Sequence, residues 1–298
     1  MKLVGTLKRI ILMMNYNFAV LIVSHGRPNR VKTATTLRRQ GYTGKIYIIL
    51  DDEDKTRAEY ESLYENVIVF NKQEAILRGD KGDNFAENRS VLFARNSCFE
   101  IARILRLDYF LELDDDYSSF YFRFTSKLNR AQRLCHNLDK VFNSMVKCLV
   151  TTNATTIAFG QGGDVIGGYG NDFLKSVRIK RKAMNTFFCA VDKPFEFLGQ
   201  MNDDVNMYVT LGNRGALIYT VFLVTINQDA TQKNAGGLTD IYLTLGTYVK
   251  SFYTVMYNPS CVKVYSFGVT NKRLHHRVEW GNAVPQIIGE QHVKRLQH

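Results

Sequence analysis

The fold of this chain is decided by residues 109–116, which read YFLELDDD. The apolar part predicts a buried strand, and three aspartates follow it directly: Asp114, Asp115 and Asp116. Strands of α/β proteins direct the residues at their carboxyl ends into the crevice where ligands bind, and carboxylate oxygens are hard ligands for divalent cations. The alternative is a solvated turn in which Asp116 or Ser118 caps a following helix.

The same strand pattern occurs upstream. Residues 18–23 form a continuous apolar run that ends in SHGRP at 24–28, and residues 45–50 form another that ends in Asp51 and Asp52. Helices over 30–40, 55–64 and 89–106 and a short strand over 66–70 complete an alternating β-α-β order. Such alternation predicts an α/β fold with a mainly parallel, Rossmann-like sheet flanked by helices.

The rest of the chain is less regular. We predict a mobile surface loop at 71–88, a basic helical region at 120–150, glycine-rich loops at 161–170 and 236–237, strands at 155–159, 186–191, 216–226 and 261–265, and helices at 205–211 and 239–252. We expect an N-terminal extension over 1–17 and one domain over 18–298. Its donor half covers about 18–117, and its elaborated acceptor half covers 118–298.

Composition limits the possible classes of protein. Hydrophobic residues make up 45% of the 298 residues, which excludes a disordered chain. The formal net charge of +11 favours an anionic partner. Five separated cysteines without a CxxC pattern indicate neither a disulfide framework nor a zinc site, and they suit the cytoplasm, which would be the host's if a phage encodes the chain. The apolar segment 10–14 is too short to span a membrane, so we expect no membrane association.

Several motifs in a fixed order carry a family resemblance. They are SHGRP at 24–28, Asp51-Asp52, Ala94-Arg95-Asn96 on the helix before the acidic strand, the three aspartates at 114–116, and Asn202-Asp203-Asp204. Over residues 18–280 the chain resembles GT-A glycosyltransferases. Its His-Gly-Arg-Pro opening is similar to the phage TET-associated glycosyltransferases, which are thought to modify hydroxymethylated pyrimidines in DNA.

The resemblance implies a nucleotide-sugar donor, most simply a UDP-sugar, and Mn²⁺ or Mg²⁺. It assigns the cation to Asp114 and Asp116, with Asp116 as the first choice, and it places a C-terminal histidine, His275 or His276, as a further ligand. The donor-binding residues that it implies are Ser24, Arg27, Asp51, Arg95, Asp114 and Asp115. Each assignment has an alternative: Arg95 could pair with Glu100, Asp51 could cap a helix, and the histidine pair could belong to a basic surface strip.

The second acidic pair suggests the catalytic base. An acceptor hydroxyl needs a carboxylate or an imidazole to take its proton, and the resemblance matches Asp203-Asp204 to the acidic motif that supplies this base in inverting enzymes. We choose Asp204 over Asp203, which could instead cap the helix that follows. Inversion is expected, with retention left open.

Basic and aromatic residues suggest a DNA acceptor. The candidates for backbone contacts are Arg178, Lys180, Arg181 and Lys182. Tyr117, Phe120, Tyr121 and Phe122 could stack on an extruded base, since a modified base must leave the duplex to reach a buried donor. The alternative is that this aromatic cluster belongs to the core.

Other functions compete with this prediction. A glycosyltransferase acting on a protein, a glycan or a small molecule would share the donor site. A nucleotidyltransferase would share the sheet and the acidic ligands, although residues 24–30 contain a single glycine where its glycine-rich basic signature would lie. A basic nucleic-acid-binding module without chemistry is the non-enzymatic alternative. No obligate protein partner is expected.

Overall fold

The structure is a computed structural model that describes residues 16–84, 88–124, 130–161, 177–228, 249–267 and 273–293. Several predicted segments lie wholly or largely outside these ranges. They are the extension 1–17, the glycine-rich loop 161–170, the glycines at 236–237 and the helix 239–252, of which residues 249–252 are described and helical. In the described part of the chain no helix is long and apolar enough to cross a membrane.

The described strands are β1 (Phe18–Val23), β2 (Lys45–Asp51), β3 (Val67–Phe70), β4 (Tyr109–Asp114), β5 (Tyr117–Phe124), β6 (Arg130–Leu134), β7 (Thr156–Gln161), β8 (Val177–Arg178), β9 (Thr186–Ala190), β10 (Ile218–Gln228), β11 (Val262–Phe267) and β12 (Arg273–Val278). The helices are α1 (Lys32–Arg39), α2 (Arg57–Leu63), α3 (Lys72–Arg78), α4 (Leu92–Ile104), α5 (Leu138–Thr152), α6 (Asp203–Asn213) and α7 (Trp280–Ala283). Residues 249–257 are also helical.

One large sheet organises the molecule. Its order is β3-β2-β1-β4-β9-β7-β10-β5-β6, with β8 beside β10, and β11 pairs with β12 separately. Strands β1, β2, β3, β4, β6, β7 and β10 share one direction, whereas β5, β8 and β9 run the opposite way. The predicted α/β fold, with a mainly parallel sheet flanked by helices, is therefore confirmed. Strands from both predicted halves lie in the same sheet.

The alternation of side chains along β4 explains how the site is arranged. Leu111 and Leu113 belong to the core cluster on one face of the sheet, and Phe110 belongs to the cluster on the other face. Because successive side chains of a strand point to opposite faces, Asp114 continues the face of Phe110 and Asp115 the face of Leu111. The three aspartates at 114–116, which we call the acidic turn, thus send carboxylates to both sides of the sheet.

The prediction of a helical region at 120–150 is wrong in its first part. Residues 117–124 and 130–134 form β5 and β6, and α5 begins only at Leu138. The sequence YSSFYFRF of β5 is rich in aromatic residues, which favour strands over helices. Tyr117 and Phe120 are completely buried, so these two rings are core residues and cannot stack on a base, whereas Phe122 is 38% exposed.

The prediction of a loop at 71–88 is also partly wrong. Residues 72–78 form α3, whose N-terminal cap is Asn71 with its side chain accepting from the Glu74 amide. The following segment, residues 80–83, is held rather than loose. We call it the strap, and it joins the region after α3 to residues 199–200 and to the helical segment 249–257.

Hydrogen bonds fix the strap at both ends. The amides of Gly199 and Gln200 donate to the Asp80 and Lys81 carbonyls at 2.8 and 3.0 Å. The Gln200 side-chain amide donates to both carboxylate oxygens of Asp83 at 3.1 Å, and the Tyr253 hydroxyl donates to one of them. The strap therefore connects the two predicted halves.

Candidate active site

Arg95 on α4 organises the centre of the site. It is 3% exposed. Its Nη2 donates to Asp114 Oδ1 at 2.9 Å, its Nη1 donates to Asp203 Oδ2 at 2.8 Å, and its Nε lies 3.1 Å from Glu112 Oε1. One guanidinium thus holds the end of β4 and the start of α6 together. Such forked charge-assisted contacts fix geometry as well as energy.

Two aromatic rings also lie beside the Arg95 guanidinium. Its guanidinium carbon lies 5.6 and 5.4 Å from the ring centres of Phe187 and Phe197. Burial raises the pKa of the Glu112 carboxyl to about 8, against the opposing effect of Arg95. When Glu112 is protonated, the positive charge of Arg95 is neutralised mainly by Asp114 and Asp203. Such pairing offsets the free-energy cost of burying a charge.

Asp115 lies on the opposite face and is 1% exposed. Its Oδ2 accepts from Ser24 Oγ at 2.5 Å and from Arg27 Nε at 2.8 Å. Ser24 Oγ is also 2.7 Å from the Tyr60 hydroxyl. Two of the predicted donor-binding residues, Ser24 and Arg27, are thereby joined to the acidic turn through Asp115.

Thr33 of α1 forms hydrogen bonds with the backbone of the acidic turn and of the residue that follows it. Its Oγ1 donates to the Asp114 carbonyl at 2.6 Å and accepts from the Tyr117 amide at 2.9 Å, while its own amide donates to the Asp115 carbonyl at 3.1 Å. These bonds satisfy the backbone of the turn, which would otherwise carry unpaired buried groups. The turn is consequently preorganised rather than solvated.

Asp51 ends β2 next to the loop that follows β1. Its Oδ2 lies 2.8 Å from His25 Nδ1, and its Oδ1 lies 3.7 Å from Lys72 Nζ. Burial opposes ionisation, but the hydrogen bond and charge of His25 and the charge of Lys72 together lower the pKa of Asp51. Asp51, Ser24 and Arg27 therefore lie at one edge of the sheet, as predicted from their positions after parallel strands.

Asp203 and Asp204 begin α6, and both are buried. The residue at the cap position is Asn202, in the left-handed region at φ 53°, and α6 has no side-chain cap hydrogen bond. The alternative in which Asp203 caps the helix is therefore wrong. Asp203 is instead bound to Arg95.

The two carboxylates differ in their contacts. Burial raises the pKa of Asp203 to about 6, against the charge of Arg95. Burial also raises the pKa of Asp204, against the charge of Arg95 and the hydrogen bond that its Oδ1 accepts from the Val205 amide at 2.8 Å. Asp203 is therefore paired with the buried Arg95 guanidinium, whereas Asp204 accepts from a backbone amide of its own helix.

His275 and His276 lie on β12, which sequence reasoning missed. His276 Nδ1 is 3.4 Å from Asn202 Nδ2, which itself donates to the Lys250 carbonyl at 2.8 Å. Burial, followed by the charges of His275, Lys250 and Lys182, lowers the pKa of His276 to about 4. The histidine pair thus lies beside the start of α6.

The predicted basic strip at 178–182 is only partly on the surface. Lys180 is exposed, while Arg178, Arg181 and Lys182 are half-buried. Arg178 lies on β8 opposite Thr220 of β10, and Lys182 Nζ lies 3.4 Å from Gln161 Oε1. Three of the four predicted backbone-contact residues are therefore less exposed than a surface strip would require.

The acidic turn fits a cation that arrives with a substrate. Among the described residues no group of three or more His, Cys, Asp or Glu side chains is arranged to hold a metal ion, so neither histidine joins Asp114 and Asp116 in such a group. Mg²⁺ is usually bound through one or two carboxylates together with water and substrate phosphates. Asp114 and Asp116 on one turn offer that kind of donor set.

Sequence reasoning did not identify four residues that shape the site. Glu112 had a visible signal, since it is a charged residue inside an apolar strand. Thr33, Tyr60 and Lys250 had none, because their roles depend on contacts between segments far apart in the chain.

Comparisons with solved structures return distant neighbours. Glucosyl-3-phosphoglycerate synthase from Mycobacterium tuberculosis, in complex with Mg²⁺ and UDP, is 10% identical over 92% of this chain and 91% of that chain, with a TM-score of 0.46. The same enzyme in complex with Mn²⁺, UDP-glucose and phosphoglyceric acid is 10% identical over 93% and 94%, with a TM-score of 0.45. A mycobacterial protein is 11% identical over 89% and 84%, with a TM-score of 0.47. No curated protein sequence matches the chain.

The sequence profile of one family matches most of the sheet and the site. The profile is that of the TET-associated glycosyltransferases, and it covers residues 18–237. The match includes the acidic turn, Arg95 and the start of α6, and it ends before Lys250 and the histidine pair. This chain therefore belongs to the TET-associated glycosyltransferase family.

Proposed function

We propose that this glycosyltransferase moves a sugar from a UDP-sugar, in the presence of Mn²⁺ or Mg²⁺, to the hydroxyl of a hydroxymethylated pyrimidine in DNA, with inversion at the anomeric carbon. One observation carries the proposal. The Arg95 guanidinium contacts both Asp114 and Asp203, at 2.9 and 2.8 Å, which supports placing the proposed cation ligand Asp114 and the proposed base Asp204, the chain neighbour of Asp203, at one site.

The donor side of the site is the acidic turn and the ends of β1 and β2. Asp114 and Asp116 would hold the cation, which when bound would neutralise charge on the departing diphosphate. Ser24, Arg27 and Asp51 would orient the nucleoside, and Asp115 would keep Ser24 and Arg27 in position through the hydrogen bonds at its Oδ2. Arg95 acts as a positioning residue, since its donors are directed at carboxylates.

The acceptor side of the site is the start of α6. Asp204 takes the proton of the acceptor hydroxyl, whose oxygen forms a bond to the anomeric carbon. The bond from that carbon to the diphosphate oxygen breaks, and the diphosphate leaves with the electron pair. Burial, which raises the pKa of Asp204, makes the carboxylate a stronger base and aids this proton transfer.

Family membership supports glycosyl transfer over the nucleotidyltransferase and the non-enzymatic alternatives. The DNA acceptor is supported by the family's description and by the net charge of +11. A protein, glycan or small-molecule acceptor is the remaining alternative and would need a different partner on the same donor site.

A panel assay tests the proposal. The protein is incubated with DNA containing hydroxymethylated pyrimidines, Mn²⁺ and a series of nucleotide sugars, and the nucleosides are then analysed by mass spectrometry. We expect a sugar-modified nucleoside with a UDP-sugar and none after chelation with EDTA. Transfer that continues in EDTA would refute the cation dependence, and transfer only to added protein or glycan would refute the DNA acceptor.

A further inference from the structure

Basic groups gather on the acceptor side of Asp204. The Lys250 carbonyl is bound by the side chain of Asn202, which lies 3.4 Å from His276. The charge of Lys250 also opposes the burial that raises the pKa of Asp204. Lys250 and His276 therefore both lie against Asn202, the residue that precedes Asp203 and Asp204 at the start of α6.

Lys182 reaches the same place from a different segment. Its carbonyl accepts from Thr220 Oγ1 at 2.8 Å, and its Nζ lies 3.4 Å from Gln161 Oε1. Together with Lys250, it is near enough to lower the pKa of His276, after the larger effects of burial and of His275. Two lysines from distant parts of the chain thus converge on one imidazole.

Arg178 adds a guanidinium on the same face of the sheet. It pairs directly with Thr220 across β8 and β10. Residues opposite each other in antiparallel strands share a face, and the Thr220 side chain is on the face that contacts Lys182. The side chain of Thr220 points to the same face of the sheet as that of Ile218, two residues earlier on β10. Ile218 packs in the core cluster that contains Phe110 and Val205 of α6.

Two donor atoms of the Arg178 guanidinium are buried without a partner. Among the described residues, neither its Nε nor its Nη2 has a hydrogen-bond acceptor. Leaving donors of a charged group buried without acceptors is costly. The planar fork of arginine matches phosphate oxygens especially well.

We infer that Arg178, Lys182 and Lys250 form a phosphate subsite for the acceptor, next to the proposed base Asp204. This inference rests on the proposed function and deepens it, because it states that the acceptor must carry a phosphate near the hydroxyl that receives the sugar. The phosphate could belong to the backbone of DNA or to a free nucleotide. Of the three basic residues, only Lys182 and Arg178 belong to the predicted strip at 178–182.

The experiment measures acceptor binding by fluorescence anisotropy, with a labelled single-stranded oligonucleotide that contains hydroxymethylcytosine. The competitors are the free hydroxymethylcytosine nucleoside, its monophosphate and the unlabelled oligonucleotide. The proteins are the wild type, Arg178→Gln, Lys182→Gln and the control Arg103→Gln. The control variant makes the same change in net charge as the other two. Arg103 is exposed near the C-terminal end of α4, away from Arg95.

We expect Arg178→Gln and Lys182→Gln each to weaken oligonucleotide binding by about 10-fold to 100-fold, since each removes a hydrogen bond or ion pair to a charged group. The control should change it less than about threefold, as for a surface substitution. The monophosphate should compete better than the nucleoside if the subsite accepts a free nucleotide, and only the oligonucleotide should compete well if it requires the backbone. Arg178→Gln should change the melting temperature little, because Nε and Nη2 have no hydrogen-bond acceptor to lose among the described residues.

Two results would overturn the inference. One is a nucleoside that competes as well as both phosphate-bearing compounds, and the other is an Arg178→Gln protein that binds like the Arg103→Gln control. UDP binding in Mn²⁺, measured on the same proteins, separates the two proposals. A wild-type protein that does not bind UDP would refute the proposed function. The competition between the nucleoside and the phosphate-bearing compounds would still decide whether the subsite exists.

Discussion

Arg95 shows how a single buried side chain can hold together carboxylates from distant parts of the chain. Its partners Glu112, Asp114 and Asp203 come from a strand interior, a strand end and a helix N-terminus, and the most distant is 108 residues away along the chain. Sequence reasoning placed Arg95 on the donor nucleotide. The arrangement favours a positioning role, because the guanidinium is enclosed by acids and by two phenylalanine rings.

Replacing Arg95 tests this role. Arg95→Met should lower the free energy of unfolding by roughly 3–5 kcal/mol, because it leaves buried carboxylates without a counter-charge. Urea denaturation measures the change, and Arg103→Met is the matched control, with an expected effect within about 0.5 kcal/mol. Equal stability of the two variants would contradict a structural role for the Arg95 cluster.

Glu112 gives a prediction about pH. Burial raises its pKa from 4.5 to about 8 in the folded protein. Between these two pH values the folded state keeps the Glu112 proton and the unfolded state loses it. The contribution of this proton to the free energy of unfolding is therefore full below pH 4.5 and is lost as the pH rises to 8. Glu112→Gln cannot ionise.

As the pH rises across that range, the free energy of unfolding of Glu112→Gln should consequently increase relative to that of the wild type. The shift should be on the order of a few kcal/mol. Denaturation in EDTA at a series of pH values measures it. A difference that stays constant with pH would show that Glu112 titrates normally.

Asp204 is predicted to act in chemistry rather than in donor binding. Asp204→Asn preserves size and should reduce sugar transfer by about 10²-fold to 10⁴-fold, the usual contribution of a general base. Mass spectrometry of the product measures the rate, and Asp192→Asn, at an exposed position, is the control. Transfer at the wild-type rate by Asp204→Asn would remove this residue from the mechanism.

Among the elements, those with continuous apolar runs could be predicted well. β1, β2, β4 and β9 lie close to their predicted bounds, because strands buried on both faces have an unambiguous pattern. β5 was mistaken for a helix because its aromatic and polar residues fit neither period clearly. β12 was missed because RLHHRV is polar and basic, and its strand state depends on pairing with β11.

The site could be predicted in outline but not in its contacts. The order of the motifs placed Ser24, Asp51 and the acidic turn at one sheet edge, since parallel strands end on the same side. The division of labour between Asp203 and Asp204 could not be predicted, because it depends on which of them Arg95 reaches. The burial of the basic strip likewise depends on β8 pairing with β10.

The strap gives a prediction at the scale of elements. Tyr253→Phe removes the hydroxyl that donates to Asp83 and should lower the free energy of unfolding by about 1 kcal/mol. Amide hydrogen exchange should be faster than in the wild type in the strap itself, residues 80–83, and at residues 199–200, which are hydrogen-bonded to the strap. Tyr257→Phe is the control, since its hydroxyl is 3.4 Å from the Asp80 carbonyl in an exposed position and should contribute less. Unchanged exchange in Tyr253→Phe would show that the strap does not need this bond.

At the scale of the whole molecule, the site lies where two parts of the chain meet. Residues 18–117 supply the acidic turn and Arg95, and later residues supply α6, β12 and the basic groups around Asp204. The large sheet holds both parts, since β9 and β7 follow β4 directly in its strand order. The central claim is that the carboxylates of these two parts serve one reaction in separate roles.

Calorimetric titration of UDP in the presence of Mn²⁺ tests that claim most directly, with the wild type, Asp116→Ala and Asp204→Asn measured side by side. We predict that the wild type and Asp204→Asn bind UDP with similar affinity and that Asp116→Ala loses binding, because the acidic turn, and not Asp204, would hold the cation on which donor binding depends. UDP binding to Asp116→Ala at wild-type affinity, or its loss from Asp204→Asn, would contradict the account.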